Sequence, residues 1–132
     1  MNKYSLENLD NKMVFDQAIF QRLSGCIPFS CRLKRLDDFE LSMEVDGIQE
    51  TSILPLHEVL NAAMSMIAEH LWNTGRYHFM NMPFTDIPFN RKQPVSIDII
   101  LIKSSSSEIK AEFFVYQGHI NLFDAELTIE SL

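Results

Sequence analysis

Glycine, proline, cysteine and positive charge are all scarce in this chain. Its 132 residues include 4 glycines, 5 prolines and 2 cysteines, with 11 Lys and Arg against 18 Asp and Glu. No internal repeat and no low-complexity domain is present. Cys26 and Cys31 do not match a C-x-x-C spacing and have no second pair to complete a zinc site, so they are expected to be reduced, packed thiols. A formal net charge of -7 argues against nucleic acid, because binding a phosphate backbone requires clustered cations. The only basic groupings, Arg32 with Lys34 and Arg35 and then Arg91 with Lys92, read as the solvated sides of a strand and a loop. Nowhere do about 18 apolar residues run together, so no membrane span is expected. The opening MNKYSLENLDNKMVFDQ lacks the apolar core of a signal peptide, which makes a cytoplasmic location the expectation.

What is present is enough apolar material, 46% of residues, for one continuous core in a single domain over residues 1–132. Residues 7–23 carry apolar side chains at mixed three and four spacing and suit a short helix ended by Ser24-Gly25. From Phe29 the period changes to two. Phe29, Cys31 and Leu33, then Phe39, Leu41, Met43 and Val45, alternate with polar residues as a β-hairpin with one wet face. After Asp46-Gly47 comes ILPLHEVLNAAMSMIAEHLWNTG, an apolar helix over 55–72 with Pro55 in its first turn and Asn73-Thr74-Gly75 at its end. Residues 77–86, 95–103, 109–116 and 120–129 then read as four strands in a meander. The fold class is α+β: a sheet of about six antiparallel strands whose one buried face is covered by the only long apolar helix, preceded by a short N-terminal helix. A helix enclosed on nearly every side needs no polar face.

Three polar residues in the first two turns of that helix need a reason. His57 and Asn61 are four apart on one face, with Ser65 a turn further, and Glu58 lies about 100 degrees round from His57. A helix start offers unpaired backbone N–H groups and a positive dipole end for a carbonyl oxygen. Asparagine is a mediocre helix former and costly to bury unpaired, so a subunit, a water or a ligand is expected to satisfy Asn61. Structural roles compete: His57 as a loop partner, Glu58 as a carboxylate favoured by the dipole. His70 and His119 have no partners at metal-ligand spacing, and neither a metal nor another cofactor is expected.

This order of elements resembles the hotdog fold, an antiparallel sheet wrapped round a central helix, and the likeness covers nearly the whole chain. The hairpin IPFSCRLKRLDDFELSMEV and the later FTDIPFNRKQPVSIDIILIKSSSSEIKAEFFVYQGHINLFDAELTI are similar to the small acyl-CoA thioesterases of the phenylacetate-pathway type, with Asp86-Ile87-Pro88-Phe89-Asn90-Arg91 standing for their polar, apolar, aromatic and basic strand. The more distant β-hydroxyacyl-carrier-protein dehydratases carry a His before the helix and an acid on it. Here Thr51 and Asn61 stand near those places, and no Gly-Gly precedes the helix. The resemblance implies an acyl thioester of coenzyme A or of an acyl carrier protein as substrate. Hydrolysis is the leading activity, with a non-catalytic acyl-binding protein or a carrier-linked hydroxyacyl dehydratase or isomerase as alternatives. Asn61, His57 and Glu58 are the catalytic candidates, and Thr51, Leu54, Leu56, Ser65, Phe84 and Asp86 the substrate-binding ones. It also implies at least a homodimer, which fits the strand YHFMNMPF, apolar on both faces.

Overall fold

The computed structural model describes residues 14–15, 29–48, 51–82 and 85–132. Strands β1 (Val14–Phe15), β2 (Ser30–Leu36) and β3 (Glu40–Asp46) precede the helix α1 (Leu56–Trp72), and β4 (Tyr77–Asn81), β5 (Val95–Ser104), β6 (Glu108–Gln117) and β7 (Ile120–Ser131) follow it. They form one seven-stranded sheet, ordered β1-β2-β3-β5-β6-β7-β4, with every pairing antiparallel. The helix expected over residues 7–23 is corrected at Val14–Phe15, which pair with Cys31 and Arg32 as a strand; the rest of that segment, with Cys26, lies outside the described residues.

The period-two alternation places Cys31, Leu33, Leu41, Met43, Val45, Ile97, Ile99, Phe113, Val115, Leu127 and Ile129 on the inner face, where all are buried. Opposite them α1 buries nine of its seventeen residues, among them Leu60, Met64 and Ile67. Its carboxyl end is pinned at two points. The Trp72 indole N–H donates to the Ser105 carbonyl at 2.7 Å, and His70 Nε2 lies 2.9 Å from Asp38 Oδ1 in the β2–β3 turn. The helix stops at Asn73, whose left-handed conformation (φ 56) lets its N–H reach the Glu69 carbonyl. A short-side-chain amide tolerates that region, so Asn73 rather than Gly75 makes the turn.

The four-strand meander is the second correction. Only β5, β6 and β7 meander, while β4 is shorter than expected and pairs with β7 at the far edge. The cause is the covering helix. Four strand spacings separate β3 from β4, about 19 Å, and a helix of this length spans about 26 Å. Crossing the sheet, α1 delivers the chain to the opposite edge, and the chain must cross back before β5 can pair with β3.

Candidate active site

The return segment is strapped to the loop that leads into α1. Ile53 and Pro88 form an isolated antiparallel bridge, the Leu54 N–H donates to the Ile87 carbonyl at 2.8 Å, and the Phe89 N–H donates to the Ser52 carbonyl at 3.2 Å. Gln117, the only polar residue buried among the described residues, holds the following turn. Its amide nitrogen donates to the carbonyls of Asn90 (2.8 Å) and Gln93 (3.1 Å), and its oxygen accepts from the Asn90 N–H (3.0 Å). Thr85 and Asp86 are thereby brought beside the first turn of α1. An open cleft of about 470 Å³ results, lined by Leu54, Pro55, Leu56, His57, Glu58, Thr85 and Asp86. Pro55 is the N-cap residue and supplies no capping side chain, and the Leu56 N–H donates instead to the Leu54 carbonyl at 2.8 Å.

Three titratable side chains, His57, Glu58 and Asp86, therefore surround the positive end of a helix. The larger cleft, about 520 Å³ at the other end of α1, is lined by Leu71, Trp72, Thr74, serines and the terminal Leu132; it offers hydroxyls but no titratable side chain to activate water. From the amino-end cleft a row of rings leads along the helix. His57 lies against Phe79 with ring centroids 5.8 Å apart, and Phe79 meets Tyr77 edge-on at 5.5 Å. The Tyr77 hydroxyl donates to the side-chain oxygen of Asn61 and lies 3.0 Å from the Asn61 carbonyl and 3.3 Å from Ser65 Oγ.

Asn61 thus finds its partner inside its own chain, on the edge strand. Burial pushes the Tyr77 phenol up to about 12, against a smaller opposite effect from the Ser65 hydrogen bond. The hydroxyl is protonated at neutral pH and can act as donor.

No family model matches the sequence, and no curated protein matches it in sequence. Solved structures do match in shape. The chain is similar to AziG of S. sahachiroi, with a TM-score of 0.56 at 10% identity over 77% of this chain and 90% of that one. It is similar to a mutant of the thioesterase PA1618 from Pseudomonas aeruginosa, with a TM-score of 0.54 at 15% identity over 89% and 94%. A hypothetical thioesterase with coenzyme A from Streptococcus pneumoniae TIGR4 aligns at a TM-score of 0.50 and 5% identity over 77% and 85%. The chain has the hotdog fold. Identities this low establish the architecture and leave the chemistry to the residues present.

On this hotdog fold the sequence candidates separate into groups. His57, Glu58, Asp86, Leu54 and Leu56 line the cleft together. Asn61 and Ser65 share the Tyr77 hydroxyl one to two turns along. Thr51 does not line the cleft: its hydroxyl accepts from the Ile53 N–H at 3.0 Å and shapes the incoming loop. Phe84 lies outside the described residues. Tyr77 was legible only as an apolar strand residue. The signal that could have exposed it is the need of Asn61 for a partner, together with a phenol that opens the strand directly after the helix.

Proposed function

We propose that the protein hydrolyses an acyl thioester, carried by coenzyme A or an acyl carrier protein, in the cleft at the amino end of α1. The observation that carries this reading is the convergence of His57, Glu58 and Asp86 on the first turn of a helix whose N-cap residue, Pro55, has no capping side chain. Glu58 acts as general base and takes a proton from water as the water oxygen bonds to the thioester carbonyl carbon. The resulting oxyanion is stabilised by the helix amides and dipole, with His57 beside it. The C–S bond then breaks, the sulfur takes the proton held by Glu58, and the carboxylic acid product loses its own proton to solvent.

The active form is read as a homodimer or higher homo-oligomer in the cytoplasm. Support for a partner comes from the edge strand β4, where Met80 is 53% exposed and Phe79 is only partly covered, as is Met82 just beyond it. A second reading, acyl binding without turnover, is favoured by one observation: position 61 holds an amide whose oxygen is already bonded to Tyr77. Thiol release from acyl-CoAs of graded chain length, and from acyl carrier protein thioesters, tests the first reading. No release from any of them, together with a rise in melting temperature on adding one, would select the second.

A further inference from the structure

A carboxamide has its acceptor on one branch and its two N–H donors on the other. The Asn61 side chain turns its oxygen to the Tyr77 hydroxyl, so its nitrogen is on the side away from the phenol. The single phenolic proton cannot serve both the side-chain oxygen and the Asn61 carbonyl at 3.0 Å, and the side-chain oxygen is the nearer acceptor. Ser65 Oγ, at 3.3 Å, is placed to donate back to the phenol oxygen. Asn61 itself is half-buried on the open stripe of α1, one turn and about 6 Å along the axis from His57.

We propose that Tyr77 is a positioning residue that locks the Asn61 carboxamide with its nitrogen outward, so that Asn61 serves the site as a hydrogen-bond donor to an acyl oxygen rather than as an acceptor holding the attacking water. The orientation stands on the hydrogen bonds alone; its catalytic consequence rests on the thioesterase reading above. The lock also gives the amide a use that the carboxylate expected at this place could not have, since an ionised acid offers acceptors only.

Two measurements on the full chain test this. In protein labelled with ¹⁵N on asparagine side chains, the Asn61 NH2 pair, assigned through Asn61→Ala, shifts in Tyr77→Phe while the other asparagine pairs stay in place. An unmoved Asn61 pair overturns the lock. In thiol-release kinetics on the acyl-CoA that the protein cleaves fastest, Asn61→Ala lowers kcat by about 10²-fold, as expected for loss of one oxyanion donor. Tyr77→Phe lowers kcat with KM unchanged, and the double variant is no slower than Asn61→Ala. Asn61→Asp decides the direction of the amide, because it keeps an acceptor for Tyr77 and replaces the outward donor by a carboxylate oxygen. It should fall at least as far as Asn61→Ala, and wild-type or higher turnover in Asn61→Asp overturns the proposal. If the wild-type protein cleaves no acyl-CoA, the thioesterase reading fails by itself, and the ¹⁵N measurement alone tests the contact between Tyr77 and the Asn61 amide.

Discussion

On one flank of α1, Leu60, Met64 and Ile67 press against the inner face of the sheet and are wholly buried. On the other, His57, Asn61, Trp72, Ser65, Glu58 and Glu69 fall within an arc of about 120 degrees at 100 degrees per residue, and none of them is fully buried. Ala68 is the one buried residue inside that arc, and it is small. The flanks are held by different physics. Volume decides the first, where a missing methylene leaves a cavity. Directed hydrogen bonds decide the second, where the groups touch an edge strand, a strap and an open cleft.

The largest expected effect tests the open flank by chemistry. Glu58→Gln keeps the shape of the side chain and removes its basicity, so thiol release should fall by about 10²–10⁴-fold. Undiminished turnover would remove Glu58 from the mechanism. Next comes the closed flank: Leu60→Ala should cost about 2–5 kcal/mol of unfolding free energy, read from urea denaturation. A loss well below that would mean the flank can collapse onto the space.

Alkaline titration of stability compares one buried group from each side of the core. Burial alone pushes the Cys31 thiol on the inner sheet face from 9.0 to about 12, while Tyr77 on the open flank rises from 10.0 to about 12. Each folded-state value lies above the unfolded one, so the folded protein holds these protons more tightly. Their contribution is complete below about pH 9 and is lost as pH rises toward 12, by a few kcal/mol at most. Cys31→Ala should flatten the decline from pH 9 upward, and Tyr77→Phe only from pH 10 upward. A decline identical in both variants would show that other groups dominate. The smallest effect belongs to the tie between His70 and Asp38. Asp38 is 73% exposed, so Asp38→Ala should cost less than about 1 kcal/mol. A thermal melt showing a larger loss would make that contact a true anchor of the helix.

Much of this could be read from spacing. The hairpin of β2 and β3, the helix from Leu56 and the strands β5 to β7 were legible because burial on one face imposes a period of two or of 3.6 that survives in the sequence. His57, Glu58 and Asn61 were legible as polar groups out of place on a buried helix. The pairing of β4 was not, because alternation records which face a residue takes and says nothing of which neighbour its backbone finds. Nor was the grouping of Asp86 with His57 and Glu58, which depends on a strap between residues as far apart as Ile53 and Pro88.

The amino-acid order determined by itself an α+β chain with one apolar helix and a sheet wet on one side, since local periodicity and turn residues carry that much. Only the tertiary structure decided that β4 lies beside β7, that Tyr77 meets Asn61, and that two carboxylates and an imidazole share one cleft. Those contacts join residues far apart along the chain, and they form only where the crossing helix sets β4 beside β7 and the strap ties the segment after β4 to the loop before α1.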